Sequence, residues 1–290
     1  MRTGFSESAY RVEVFLAIMK RKLDYLQAKK RNLDPITMIT AYDFPMARLA
    51  DEAGIDAVLV GDSVGTNVLG YASEREVTVA DMVHHTAAAA RGIKNAFLLA
   101  DLPFQSAESP SDAEINARCL LGAGAEAVKI EGGAEKGEII ACLANKGISV
   151  CAHIGYNPQL HGMKPRVFGA TVDEARLLVA SARKLEAAGA GLIVLEKVCE
   201  EVAGIISQML RIPTIGIGSG RLCDGQVLVM HDVLGMSGKT FRHARSFINL
   251  RELTLGAIKA YRSAVETRGF PGEKNVHHMN PEVFARLQIS

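Results

Sequence analysis

The chain has 290 residues, of which 48% are hydrophobic and 22% charged, so it can bury one large core. Its formal net charge of +1, spread without a basic or acidic block, does not favour a nucleic acid or a membrane as a partner. No apolar run approaches the roughly 18 residues of a membrane-spanning helix, and the first residues lack the apolar run of a secretory signal. The five cysteines form no C-x-x-C pair, which is unlike a disulfide framework or a zinc site. We therefore expect a cytoplasmic protein.

The first 35 residues contain one amphipathic, basic stretch, Val12–Lys30, which predicts a helix. This helix could close one end of the core that follows or pack on a neighbouring molecule. It could equally be exposed to solvent and have no role in function. The sequence leaves these alternatives open.

Eight short apolar runs follow, and each is typical of a strand buried on both faces of a parallel sheet. They are Ile36–Asp43, Asp56–Ser63, Asn95–Leu102, Glu126–Glu131, Ser149–Ile154, Gly191–Lys197, Thr214–Ser219 and Gln226–Asp232. Eight repeated βα units predict an α/β fold, a (β/α)8 TIM barrel, for which about 250 residues is the usual size. We assign residues 1–35 to a helical extension and residues 36–290 to the barrel catalytic domain, with a polar tail after Gly269.

Amphipathic helical stretches lie between most of the predicted strands. Three pairs of residues have the spacing of a capping box: Thr78 with Asp81, Ser111 with Glu114 and Thr171 with Glu174. Only a short segment separates Ser219 from Gln226. We therefore expect no full helix between the last two strands.

Seven of the eight apolar runs end in an ionisable residue: Asp43, Asp62, Asp101, Glu131, His153, Glu196 and Asp232. In a barrel of parallel strands these ends converge on the carboxyl face, where such enzymes keep their active sites. A single acid after a strand often serves only as the N-cap of the next helix. Asp43 and Asp232 fit that alternative, and His153 fits a core histidine as well as a site residue.

Side-chain alternation along the strands indicates which acids point in a common direction. Asp62 shares a strand face with Val58 and Val60. The same spacing orients three further acids: Asp101, Glu131 and Glu196. Four acids at the rim of an apolar barrel would raise each other's pKa values, and a bound cation would relieve this. Hard oxygen ligands favour Mg²⁺ or Mn²⁺ over zinc, and Lys129 offers positive charge for an anionic substrate.

Several segments, taken in chain order, carry a resemblance to a known family: Ile39–Asp43, Val60–Gly65, Leu69–Tyr71, His85–Thr86, Ala100–Phe104, Val128–Gly133, His153–Gly155, Val194–Glu196, Ile215–Gly218 and Cys223–Asp232. With these segments the chain resembles the ketopantoate hydroxymethyltransferases, of the phosphoenolpyruvate mutase/isocitrate lyase superfamily. The resemblance implies transfer of a hydroxymethyl group from 5,10-methylenetetrahydrofolate to 3-methyl-2-oxobutanoate, a step of pantothenate biosynthesis. It also implies Mg²⁺ or another divalent cation and a homo-oligomer, commonly a decamer.

The resemblance assigns roles to the residues of these segments. It implies a metal site formed by three acids: Asp62, Asp101 and Glu131. It implies contacts to the 2-oxo acid from four residues: Asp62, Ser63, Asp101 and Lys129. Glu196 is implied as the catalytic residue that removes a proton from C3, so that a metal-stabilised enolate attacks the one-carbon unit.

The sequence departs from the family's pattern at three places. Lys197-Val198-Cys199 stands where Cys-Val-Pro is usual, Ala152 replaces a glycine, and the loop over residues 156–170 is shorter and different. These departures keep a second hypothesis open, a diverged metal-dependent lyase, decarboxylase or aldol-type enzyme that acts on another 2-oxo acid without folate. A non-catalytic binding or assembly subunit is a third, which the retained set of ionisable residues disfavours.

Overall fold

The computed structural model describes residues 20–161, 166–238 and 241–287. Eight parallel strands form a closed barrel in chain order, and the last strand pairs with the first. The strands are β1 (Ile36–Thr40), β2 (Ala57–Val60), β3 (Phe97–Asp101), β4 (Ala127–Glu131), β5 (Val150–Gly155), β6 (Leu192–Glu196), β7 (Thr214–Ile217) and β8 (Gly225–Leu228). The predicted (β/α)8 TIM barrel is confirmed.

Helices alternate with the strands up to β7. The α-helices of the described residues are α1 (Leu23–Asn32), α2 (Phe44–Glu52), α3 (Val79–Gly92), α4 (Pro110–Gly122), α5 (Gly137–Asn145), α6 (Pro158–His161), α7 (Val172–Ala187), α8 (Glu200–Met209), α9 (Met230–Val233), α10 (Leu250–Glu266) and α11 (Pro281–Phe284). The segment between β7 and β8 is described throughout and contains no helix, as its short length predicts.

Two of the three predicted helix starts are confirmed. Thr78 and Thr171 cap α3 and α7 by accepting the backbone N–H three residues ahead. The start predicted at Ser111 is wrong, because Ser109 accepts the N–H of Asp112 and caps α4. Pro110 then occupies the first helical position, where its fixed φ suits a helix and its missing N–H costs nothing.

Two apolar layers give the barrel its core. The inner layer fills the barrel with side chains that include Ile36, Met38, Leu59, Phe97, Leu99, Cys151, Leu192, Ile215 and Val227. The outer layer lies between strands and helices and contains Val58 and Val60. The predicted orientation of β2 is therefore wrong, since the residues that alternate with Leu59 face outward. Asp62 reaches the barrel mouth because β2 ends at Val60 and the chain turns.

Helix α1 closes the amino-terminal end of the barrel. The side chain of Leu26 is fully buried and belongs to the inner layer. Two salt bridges of 2.6 Å tie the helix to the barrel, from Lys29 to Asp56 and from Lys30 to Asp224. Residues 12–19 of the predicted helix lie outside the described residues, and the described helix begins at Leu23.

We expect Leu26→Ala to destabilise the protein by about 2–5 kcal/mol, because it removes the side chain that fills this end of the barrel. Denaturant unfolding followed by circular dichroism measures the change. Leu177→Ala is the matched control, since Leu177 on α7 is 69% exposed and surface substitutions usually change stability by within about 0.5 kcal/mol. Equal effects of the two substitutions would contradict the role of α1 as a plug.

Candidate active site

Ionisable side chains from five neighbouring parts of the barrel meet in a cavity of about 710 Å³ at the carboxyl ends of the strands. All six predicted site residues line it: Asp62, Ser63, Asp101, Lys129, Glu131 and Glu196. Along β3, Asp101 follows Phe97 and Leu99 on the inward-facing positions, and β4 and β6 repeat this arrangement. Because side chains alternate along a strand, these acids point to the inside of the barrel and lie at its open end.

Three of these acids form a compact cluster. Asp62, Asp101 and Glu131 each offer one oxygen, and these oxygens lie within 4.8 Å of one another. Asp101 Oδ1 and Glu131 Oε2 are buried and have no hydrogen-bond partner among the described residues. Buried polar atoms are almost always paired, and a hard divalent cation such as Mg²⁺ binds carboxylate oxygens. The donor set therefore fits such a cation.

Lys129 lies beside this cluster and partly compensates its charge. Its Nζ is 2.8 Å from Asp101 Oδ2 and 3.0 Å from Glu131 Oε1. Burial by itself lowers the pKa of Lys129, but the neighbouring carboxylates outweigh burial and raise this pKa well above its usual value. Lys129 is therefore a permanent cation of the site.

One lysine does not balance three carboxylates. Burial, then the like charges of Glu131 and Asp101, raise the pKa of Asp62 well above its usual value. Burial also raises the pKa of Asp101, against the opposing effect of Lys129. Gln159 Nε2 donates a hydrogen bond of 2.8 Å to Asp62 Oδ2 and so holds this carboxylate in place. A bound cation would reduce the repulsion between these carboxylates.

A histidine connects the cluster to the opposite wall of the cavity. His153 Nδ1 is 3.0 Å from Glu131 Oε1, and its Nε2 is 3.5 Å from Glu196 Oε2. His153 is buried among these acids and is thus a residue of the site. Its Nδ1 is hydrogen-bonded to Glu131, whereas its Nε2 has no hydrogen-bond partner among the described residues.

The two glutamates that flank His153 differ strongly in pKa. Burial raises the pKa of Glu131, but Lys129 and His153 outweigh burial and lower it to about 2. For Glu196, burial dominates and raises the pKa to about 7, although His153 opposes it. Two carboxyl groups whose environments separate their pKa values are suited to different roles. Glu131 stays charged, whereas Glu196 is able to exchange a proton near neutral pH.

The remaining predicted residues have smaller parts in the site. Ser63 Oγ lies 2.9 Å from the hydroxyl oxygen of Tyr42 and lines the cavity. Asp43 is the N-cap of α2 and accepts the N–H of Met46, as the capping alternative predicts. Asp232 lies in the cavity wall within α9.

Several residues of the site were not predicted, among them Tyr156 and His243 of the cavity wall and Gln159, which donates its hydrogen bond to Asp62. They lie in loops and in the short helix α6. These segments have no regular alternation of apolar and polar residues from which the direction of a side chain could be predicted. Only the path of these segments over the barrel mouth brings them to the site. For Tyr156 and Gln159, the signal in the sequence is the departure of the loop after β5 from the family's pattern, and His243 lies outside that loop.

A closed barrel with buried acids at its carboxyl end defines a TIM-barrel enzyme, and solved structures share this fold. The chain is similar to 2,3-dimethylmalate lyase, a member of the phosphoenolpyruvate mutase/isocitrate lyase superfamily, with a TM-score of 0.55, 19% identity, and coverage of 92% of this chain and 94% of that one. It is also similar to phosphonopyruvate hydrolase in complex with oxalate and Mg²⁺, with a TM-score of 0.59, 13% identity, and coverage of 88% and 93%.

The chain belongs to the ketopantoate hydroxymethyltransferase family, whose sequence model matches residues 20–273. It is 48% identical over 252 residues to the 3-methyl-2-oxobutanoate hydroxymethyltransferase of Thermotoga neapolitana, covering 86% of this chain and 93% of that protein. The enzyme of the same name from Aeropyrum pernix is 45% identical over 255 residues, with coverage of 86% and 92%. Family membership confirms the resemblance noted in the sequence. None of the described helices is long and apolar enough to cross a membrane.

Proposed function

We propose that this protein transfers a hydroxymethyl group from 5,10-methylenetetrahydrofolate to 3-methyl-2-oxobutanoate, which gives 2-dehydropantoate for pantothenate biosynthesis in the cytoplasm. The observation that carries the proposal is Glu196, whose carboxyl group has a pKa of about 7 and shares one cavity with the cluster of three acids. Family membership supports the same activity. No observation favours the folate-independent alternative.

The acid cluster is suited to hold Mg²⁺ or another divalent cation. Asp62 and Asp101 would be its ligands, with Glu131 in its immediate surroundings, because oxygens of all three acids converge there. One oxygen of Asp101 and one of Glu131 have no hydrogen-bond partner among the described residues. When bound, this cation supplies positive charge that stabilises the enolate oxygen of the 2-oxo acid.

The residues of the chain bind the 2-oxo acid and orient it. Lys129 neutralises the substrate carboxylate, since it is the buried cation beside the cluster. Ser63 contacts the same substrate through a hydroxyl group that lines the cavity. These contacts direct C3 of the substrate toward Glu196 on β6.

Glu196 then acts as the general base. It removes the proton from C3, and a base whose pKa lies near the working pH is the most effective one. The ring of His153 lies beside this carboxylate, with Nε2 3.5 Å from Glu196 Oε2. Water hydrolyses the N5–CH2–N10 bridge of the donor, which breaks both C–N bonds and releases tetrahydrofolate and the one-carbon unit as formaldehyde. The carbon nucleophile attacks the carbonyl carbon of formaldehyde and a new C–C bond forms. The resulting alkoxide takes the proton that Glu196 removed, which gives the hydroxymethyl group.

Two assays of the purified protein with Mg²⁺ test this function. In D₂O, the C3 proton of 3-methyl-2-oxobutanoate should exchange without folate, and 2-dehydropantoate should form only when 5,10-methylenetetrahydrofolate is added. Complementation of a pantothenate-requiring strain tests both substrates at once. Metal-dependent turnover of another 2-oxo acid, with no folate-dependent product, would contradict the proposal and favour the lyase, decarboxylase or aldol-type alternative.

We further propose that the protein forms a homo-oligomer, as the resemblance implies. Helix α10 has an apolar stripe of exposed side chains, which include Leu253, Ile258 and Tyr261, each about 60% exposed (58%, 59% and 61%). A groove of about 820 Å³ runs along the outer face of β1 and β8, where Thr37 and Gln226 are exposed. In the described part of the chain neither surface is covered. A second copy of the chain supplies a matching apolar surface for each.

We expect Ile258→Glu to lower the association state, because it places a charge in the apolar stripe. Lys259→Glu is the matched control, since this residue lies on the polar face of the same helix. Sedimentation equilibrium at several protein concentrations measures both. A wild-type protein that sediments as a monomer, or two variants that behave alike, would contradict the proposal.

A further inference from the structure

Lys197 follows the proposed base directly and lies one residue nearer the mouth of the barrel. Its φ is 50°, in the left-handed region, which is uncommon for residues other than glycine. The backbone is held on both sides, because its N–H donates to the carbonyl of Ile217 (2.9 Å) and its carbonyl accepts from Phe168 (2.8 Å). Backbone strain that the surroundings enforce is common at functional sites. Here it fixes the direction in which the lysine side chain enters the cavity wall.

The ammonium group of Lys197 has no salt bridge with any residue in the described ranges. Its Nζ lies 4.1 Å from the centroid of the Tyr156 ring, a cation–π contact. Burial lowers the pKa of Lys197, although the charge of Glu196 opposes this. Lys129, by contrast, already has two carboxylate partners. Lys197 is thus available to a second ligand, in addition to the 2-oxo acid that Lys129 binds.

Aromatic side chains lie around this lysine. Gly218 lies between this lysine and His243, since a Cβ there would be 3.5 Å from Lys197 Cγ and 3.1 Å from His243 Cβ, and the absence of a Cβ lets His243 approach closely. The ring of His243 stacks on Phe241, with 5.5 Å between centroids. A cation and several rings therefore form one rim of the cavity, which we call the Lys197 rim (Tyr156, Lys197, Phe241 and His243).

The position of the Lys197 rim at the mouth of the barrel indicates which of the two substrates it contacts. The proposed function places the 2-oxo acid deep in the barrel, between the acid cluster and Glu196. The second substrate reaches C3 only from the open mouth, past Lys197. In 5,10-methylenetetrahydrofolate the transferable carbon is attached next to the reduced pterin, whereas the glutamate carboxylates are at the far end. The pterin is therefore the part that arrives beside Lys197.

We propose that Lys197 recognises the pterin end of the one-carbon donor and is a specificity-determining residue for that substrate. Its ammonium donates a hydrogen bond to the ring oxygen of the pterin, and the ring system packs on the aromatic side chains of the rim. The proposal rests on the proposed function and names the recognition group for its second substrate.

Steady-state kinetics of Lys197→Met tests the inference. We expect the KM for 5,10-methylenetetrahydrofolate to rise about tenfold to hundredfold, the range that a lost hydrogen bond to a charged group gives. The KM for 3-methyl-2-oxobutanoate and the folate-independent exchange at C3 should stay within about twofold. Lys197→Arg should restore most of the affinity for the donor. Lys184→Met is the matched control, because Lys184 is exposed on α7, outside the cavity.

Three outcomes would overturn the inference. The first is an unchanged donor KM in Lys197→Met. The second is a loss of C3 exchange together with a higher KM for the oxo acid, which would place Lys197 at the base. In the third, the wild type prefers a polyglutamylated donor and Lys197→Met loses this preference, so that the lysine contacts the glutamate tail.

Failure of the proposed function is distinguishable from these results. It would appear in the wild type, as C3 exchange without any folate-dependent product. Calorimetry with tetrahydrofolate then decides the inference by itself. Binding that weakens in Lys197→Met supports it, and the absence of binding to the wild type overturns it.

Discussion

Glu196→Gln is expected to lower kcat for hydroxymethyl transfer about 10²–10⁴-fold, the usual contribution of a positioned general base. The amide keeps the size of the side chain but cannot accept the proton from C3. The KM for the oxo acid should change little, since Glu196 takes no part in the proposed contacts to the substrate carboxylate. Deuterium exchange at C3, followed by proton NMR, isolates the affected step from the chemistry of folate. Exchange at the wild-type rate would contradict the assignment.

The pH dependence of the same exchange gives an independent check. A general base works only when it is deprotonated, and burial raises the pKa of Glu196 to about 7. The rate should therefore fall as the pH drops below this value and level off above it. A nearby divalent cation favours the charged carboxylate, so it shifts the rising limb to lower pH. An exchange rate that still rises beyond pH 9, or a limb that persists unchanged in Glu196→Gln, would show that another group is the base.

Asp101→Asn is expected to weaken metal binding and activity by more than about 100-fold, because residues that only orient metal ligands already contribute about 10–100-fold. The substitution removes one of the three carboxylates of the cluster and one of the two partners of Lys129. Calorimetry with Mg²⁺ measures the affinity, and the transfer assay measures the activity. Chelation should abolish wild-type activity, and added Mg²⁺ should restore it.

Asp43→Asn is the matched control for this experiment. Asp43 also follows a barrel strand, but it caps α2 through its side chain, and asparagine caps a helix as well as aspartate does. Its activity and metal affinity should match those of the wild type. Wild-type metal affinity in Asp101→Asn would contradict the proposed cation site, and so would activity that resists chelation.

The sequence by itself determined the alternation of strands and helices and the acids at the strand ends. A short apolar run bounded by turn residues indicates a buried strand without any knowledge of the rest of the chain. The eight strands of the barrel could therefore be predicted from the apolar runs alone. Alternation along β3, β4 and β6 also predicted the inward direction of Asp101, Glu131 and Glu196, because side-chain direction within a strand depends only on the strand's own period. The assignment of residues 1–35 to an extension and 36–290 to one barrel domain stays a prediction.

Only the tertiary structure decided the positions of side chains in turns and loops, and the properties of the site that depend on several segments at once. The turn after β2 brings Asp62 to the mouth, against the alternation that its strand suggested. The pKa of about 7 at Glu196 is a property of the closed barrel, since burial by remote segments is its largest cause. The pairing of Lys197 with Tyr156 depends on how the loop after β5 crosses the end of β6. The distances between side chains of distant segments, and the burial of those side chains, are set when the barrel closes. A local sequence pattern therefore does not predict them.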